Sequence, residues 1–415
     1  MPSENPGLTR AFIGVTALFF AWGFITATMD PLVPAVRAIF QLSQAEAMLT
    51  QAAFFLAYGV VSLPASAIVL RLGYSGAIGV ALTAMLAGCL LMPLATARDA
   101  YPLVLTALFV IAGGITILQV AANPLSAALG PPAGASFRLT LSQAFNSLGT
   151  VLAPYVGARV MLHDGLFAAG APAAEQRQQS LHNIDTSFMI LAGLILALGL
   201  FVAALKKRID RAAPVPGEEA SASPLLALKA RWALLGAGAI FFYVGAEVSI
   251  GSMLIAFLSQ GDVLGVTLER AGTLVPLYWG GAMLGRFAGS AVLAVVPPPR
   301  VLASAAVAAS LLAVSVVLTD GMAAAVAALA IGLMNAIMFP TIFTLTLARS
   351  TAPEAATSGL LCMAIVGGAV LPPLAGWIAD RHGLHAAFLV PALAYAGITL
   401  FALAAARAVS APPQG

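Results

Sequence analysis

The stretch FFYVGAEVSIGSMLIAFL, residues 241–258, is an apolar run of helical length with one carboxylate, Glu247, near its middle. An ionised side chain at the centre of a hydrocarbon layer costs about 3 kcal/mol or more, so it must face a partner or a wet cavity. A second carboxylate, Asp30, lies inside the first apolar run of the chain. Acids at that depth mark a solute path through a membrane protein.

Composition agrees with that reading. The hydrophobic fraction is 61%, charged residues make up 8%, and the mean hydropathy is +0.99. A soluble domain is about a quarter charged, so the soluble classes are excluded. The net charge of +3 does not indicate nucleic acid, because Lys206, Lys207, Arg208 and Arg211 cluster between apolar runs. The positive-inside rule expects such a cluster in a cytoplasmic loop. Cys89 and Cys362 fall within apolar runs in opposite halves and predict core packing, with no disulfide or metal spacing. The run after the polar start MPSENPGLTR exceeds a signal-peptide core and shows no A-x-A-like site before Asp30, so it is read as a retained span.

A span needs ~20 apolar residues. On that basis twelve are expected, near 9–38, 45–70, 73–95, 101–129, 136–162, 183–205, 226–259, 269–295, 300–319, 322–348, 355–379 and 385–407. Helix breakers fall in the gaps: Gly73, Pro131-Pro132, Pro214 to Pro216, and Pro297 to Pro299. With the N-terminus inside, thirteen of the nineteen Lys and Arg residues become cytoplasmic, Arg286 and Arg349 among them. That bias places both termini in the cytoplasm. The polar segment 206–225 reads as a cytoplasmic linker between an N-terminal half, 1–205, and a C-terminal half, 226–415.

The halves resemble each other. FFAWG at 19–23 matches FFYVG at 241–245, and LAYG at 56–59 matches LYWG at 277–280. Gln119 lies five residues before Pro124 and Asn335 five before Pro340, while Pro154 to Gly157 matches Pro373 to Gly376. The offsets, in chain order, are 222, 221, 216 and 219. A near-constant offset through four ordered pairs predicts two parallel six-helix repeats of an all-α membrane protein, with a solute site near the midplane.

Polar residues inside the spans suggest what that solute is. Gln119 and Asn123 are spaced i, i+4, and Gln143 and Asn146 i, i+3, so each pair shares a helix face. Amides donate and accept, as neighbouring sugar hydroxyls require. A single intramembrane amide is more often interhelical glue worth on the order of 1 kcal/mol, but four on adjacent spans favour a site. Asp30 precedes Pro31, which cannot donate to the Ala27 carbonyl and leaves a free acceptor one turn away. Away from water the neutral form of a carboxyl is favoured, so Asp30 or Glu247 can load and release a proton. Glu247 with Ser249 and the amide of Asn335 can equally hold a sodium ion. Among the aromatics, Trp279 is a candidate for stacking on a sugar ring, whereas His382 and His385 read as surface histidines.

The segments LFFAWGF with Asp30, LTQAAFFLAYG, LQVAANP, FRLTLSQAFNSLG, FFYVGAEVSIGS, GRFAGS and FPTIFTL together resemble the fucose permease and glucose/galactose transporter family of the major facilitator superfamily. The resemblance covers nearly all spans and implies cation-coupled hexose uptake across a bacterial inner membrane by alternating access of the two halves. It maps Asp30 onto a first-span aspartate linked to coupling, and Gln143 and Asn146 onto fifth-span amides that face the sugar. Gln119 stands where the fucose branch has a glutamate, and Glu247 where that branch has a glutamine. The acid has moved across the cavity, as in the glucose/galactose-like branch, which favours glucose, galactose or a related hexose. The loop between spans two and three, PASAIVLRLGYSG, keeps Arg71 but lacks the superfamily's usual aspartate.

The expected function is therefore proton symport of a monosaccharide, with sodium symport as the alternative. Proton-driven export of an amphipathic compound is a further one, disfavoured by the clustered amides. An intramembrane enzyme is not expected, since no span carries an H-E-x-x-H motif or paired aspartates. Beyond the coupling ion, H+ or Na+, no cofactor is expected; the partners are a sugar and membrane lipid, not nucleic acid, and a monomer is the expected state.

Overall fold

The computed structural model describes residues 6–28, 44–161, 174–212 and 223–408. Asp30 lies outside the described residues. Among those described, the chain forms α-helices and short 3-10 turns, without strands. Among the described residues eight helices are long and apolar enough to cross a membrane. Each of the twelve expected segments overlaps helix among the described residues, with some spans joined in one helix and others broken into two.

The first helices are α1 (Pro6–Thr28), α2 (Gln44–Ala97), α3 (Tyr101–Ala128), α4 (Ala135–Met161) and α5 (Ala174–Ala212). Gly73, at φ 70° and ψ 177°, breaks α2 into two consecutive spans. That positive φ is open to glycine at no steric cost. Lys206 to Ala212, read from the sequence as the start of a linker, continue α5 as helix.

The later spans are more interrupted. After α6 (Arg231–Ser259) come α7 (Leu268–Gly272) and α8 (Val275–Leu293), then α9 (Pro298–Leu318). The tenth span divides into α10 (Gly321–Asn335) and α11 (Met338–Leu347), and the eleventh into α12 (Glu354–Met363) and α13 (Gly367–His382). The chain closes with α14 (Leu384–Ala387) and α15 (Leu389–Arg407). The break after Asn335 has a local cause. Pro340 has no N–H to give the Ala336 carbonyl, and that freed oxygen instead accepts from Arg286 Nε at 3.3 Å. Irregular backbone at membrane depth persists only where such a partner satisfies it.

The chain packs as two compact units, Met1–Leu129 with Phe145–Ser221, and Gly130–Ala144 with Ala222–Gly415. In the second unit Ser136 Oγ lies 2.7 Å from Thr344 Oγ1, which seats the start of α4 beside α11. In the first unit, α4 crosses α1 so closely that a Cβ at Gly149 would overlap the Phe20 carbonyl oxygen. The second unit repeats this crossing, where a Cβ at Gly367 would overlap the Phe241 carbonyl oxygen. Small residues at such crossings let backbones approach, which is how helices associate in lipid. Cys89 and Cys362 are both buried, and neither is in a disulfide.

Two polar ties hold helix ends together in the second unit. Arg349 is buried, donates to the Leu345 carbonyl at 3.1 Å and the Ala405 carbonyl at 2.8 Å, and lies 5.8 Å from the Trp232 ring centroid. Desolvation draws its guanidinium down from the usual arginine range, though an arginine remains charged at physiological pH. His385 packs edge-on against Phe257 and sits 4.0 Å from Asp262 and 3.6 Å from Asp320. It is 18% exposed, so it bridges helix ends instead of standing free at the surface.

Candidate functional site

Glu247 lies near the middle of α6, about two residues past its centre, and is half-buried. Tyr243, one turn earlier on the same face, donates its hydroxyl to Glu247 Oε1 at 2.8 Å. The guanidinium charge of Arg286, on α8, acts on the same carboxylate. The sequence reading counts Arg286 among the cytoplasmic basic residues. It lies within α8, with its Nε bound to the tenth-span break, because a freed carbonyl and a carboxylate together can hold a cation inside the helix bundle.

A second layer surrounds this acid. Tyr278 is fully buried, and its hydroxyl lies 3.5 Å from the Glu247 carbonyl oxygen. Asn335 Nδ2 donates to the Tyr278 hydroxyl at 2.8 Å. Asn335 Oδ1 is buried without a donor, and the buried hydroxyl of Tyr395, which lies beside the same amide, has no acceptor for its hydrogen. An acceptor at the last residue of α10 and a donor on α15 are thus left over. Buried polar groups are normally paired, so such leftovers call for a water or a ligand. Ser249 returns its hydroxyl to Gly245 of its own helix at 2.6 Å.

The first unit carries a matching arrangement. Gln119 Nε2 donates to the Tyr58 hydroxyl, as Asn335 does to Tyr278. The amides are those paired by the sequence repeat, but the tyrosine is displaced by one position. LAYG and LYWG align Tyr58 with Trp279, whereas Tyr278 is the residue that turns inward. Trp279 stands edge-on to Tyr278 at 5.1 Å, remains 41% exposed, and covers Gly251. Asn123 is fully buried on the Gln119 face of α3.

Along α4, Gln143 is buried and Asn146 is half-buried one turn later. Asn146 Nδ2 donates to the Phe19 carbonyl at 2.9 Å, so this amide ties α4 to α1. Tyr278, Tyr395 and Arg286 are the residues whose part at Glu247 the sequence did not announce. A tyrosine within an apolar run reads as packing. The usable signal was an arginine placed inside an apolar helix, which needs an internal partner.

Comparison with known proteins places these features in context. The family model for the Major Facilitator Superfamily matches residues 11–361. A glucose/galactose transporter of Brucella abortus is 42% identical over 97% of this chain and 98% of its own length. An L-fucose-proton symporter of Escherichia coli is 30% identical over 96% of this chain and 94% of its own. The crystal structure of an E. coli fucose:proton symporter variant superposes with a TM-score of 0.84 at 26% identity, covering 97% of this chain and 100% of that one. These relatives are named as transporters, not enzymes.

Proposed function

We propose that this chain, which belongs to the fucose permease and glucose/galactose transporter family of the major facilitator superfamily, imports a glucose- or galactose-like hexose by proton symport, with Glu247 as the coupling group. The observation that carries this reading is the second-unit cluster, in which a partly open carboxylate adjoins a buried, unpartnered donor and acceptor. A sugar hydroxyl both donates and accepts, so it satisfies Tyr395 and Asn335 together. The names of the relatives support a monosaccharide and a proton.

Each element of the cluster has a role in this reading. Tyr243 and Arg286 stabilise Glu247 as a carboxylate, the first by a charge-assisted hydrogen bond and the second by its charge. Protonation removes the cost of holding that charge away from water, and the state of the carboxyl group thereby biases which conformation is favoured. Gln119, Asn123, Gln143 and Asn146 supply further polar contacts to the sugar, and Asp30 a second titratable group. The Lys and Arg bias supports both termini in the cytoplasm, and the bacterial relatives support a bacterial plasma membrane.

The test is Glu247→Gln in proteoliposomes. Uphill accumulation should fall to about the equilibrium ratio of one, while sugar–sugar exchange, which moves no net proton, survives in part. Uphill uptake equal to wild type removes Glu247 from coupling.

A further inference from the structure

The first unit holds a groove that the sugar site does not use. It lies between the second half of α2 and α5, has a volume of about 330 Å³, and is lined by Gly76, Gly79, Leu82 and Leu86 on one side and by Gly199 and Ala203 on the other. Ser75 and Lys206 close the same end of it. The two helices are tied at both ends, by the Ser75 hydroxyl on Asp210 and by Thr96 Oγ1 on Asp185 at 2.6 Å. Between those ties the glycines hold the gap open: a Cβ built at Gly79 or Gly199 meets nothing within 4 Å.

The geometry points to an anionic phospholipid as the occupant of this groove, with its acyl chain along the glycines and its headgroup on Lys206. Depth supports the acyl chain. From Ser75 to Leu86 the helix rises ~16 Å, close to half of a ~30 Å hydrocarbon layer, so the groove spans one leaflet. The lining is apolar except for Ser75 and Lys206 at one end and Thr83, whose hydroxyl donates back to the Gly79 carbonyl at 2.9 Å, which matches a lipid and not a sugar. Charge supports the headgroup. Lys206, Lys207 and Arg211 are all exposed on the last turns of α5, where a helix leaving the apolar layer meets lipid headgroups. Basic positions between spans at that level favour anionic over zwitterionic lipid.

Native mass spectrometry of the detergent-purified full chain, with phosphatidylglycerol or phosphatidylethanolamine added, tests this independently of transport. Wild type should retain one phosphatidylglycerol in preference to phosphatidylethanolamine. Lys206→Gln should cut that preference about fivefold, the effect of one basic residue at an anionic surface. Gly199→Leu, which fills the groove, should lose the retained lipid, with thermal unfolding used to establish that the variant folds. Loss of headgroup preference in Lys206→Gln with full retention in Gly199→Leu would mean a surface effect only and overturn the groove. Equal retention of both lipids by wild type would overturn the anionic headgroup. A dimer that dissociates as lipid is added, or one lost in Gly199→Leu, would assign the groove to a second copy instead.

Discussion

Tyr395 carries a hydroxyl that packing alone would not select. It is fully buried on α15 beside the Asn335 amide, its hydrogen finds no acceptor, and an unpaired buried donor costs about 1–3 kcal/mol. Phenylalanine fills the same volume without that cost. Tyr395→Phe should therefore match or exceed wild type in thermal stability, yet bind sugar about threefold to tenfold more weakly, the worth of one hydrogen bond. Unfolding curves and counterflow half-saturation check the two halves of this prediction. A variant that is less stable and binds normally would make the hydroxyl structural. At this scale Glu247 was legible because a carboxylate in an apolar run has no structural excuse. Tyr278, Tyr395 and Arg286 were not, since their meaning depends on neighbours from three other helices. Trp279 shows the limit of motif alignment, because a shift of one position rotates a helical side chain by about 100°, and the inward place belongs to Tyr278.

At the scale of the helices, the two units share one construction. Gly149 on α4 meets the Phe20 carbonyl, and Gly367 on α13 meets the Phe241 carbonyl. The partner atom is backbone in both cases, so it cannot swing aside as a flexible side chain would. Gly149→Ala and Gly367→Ala should each force their helix pair apart and lose about 1–3 kcal/mol. Gly193→Ala, where a Cβ meets nothing within 4 Å, should be neutral or slightly stabilising, since alanine favours helix. Thermal unfolding of the three variants decides the matter: equal behaviour at all three positions would remove the close crossings as a structural determinant. The repeat itself was readable from four ordered matches of short motifs. The breaks were only half readable. Pro340 announces a freed carbonyl at Ala336, but that Arg286 should fill it is a fact of packing between α8 and the tenth span. Likewise Gly73 signals a boundary in the sequence, and its positive φ is what turns one long helical element into two spans.

For the molecule as a whole, membership of the superfamily rests on the family match and on full-length relatives, and the all-helical membrane architecture could be read beforehand from composition. What composition could not give was the coupling ion, because a buried carboxylate with oxygen neighbours suits either a proton or sodium. The proposed proton mechanism makes a quantitative claim here. A neutral sugar carried with one proton moves one positive charge inward, and a charge crossing a membrane potential gains ~2.3 kcal/mol per 100 mV. Converted at 1.4 kcal/mol per tenfold, an inside-negative potential of ~100 mV supports an accumulation ratio of about fifty. Proteoliposomes given that potential with equal pH on both sides and no sodium should approach this ratio for the preferred hexose in a panel of sugars. Collapse of the potential should return the ratio to about one, and added sodium should leave it unchanged. Dependence on sodium would instead assign Glu247 and its oxygen neighbours to that ion. Accumulation indifferent to both gradients would leave the acid without a coupling role, since a charge-moving cycle must respond to the potential that drives it.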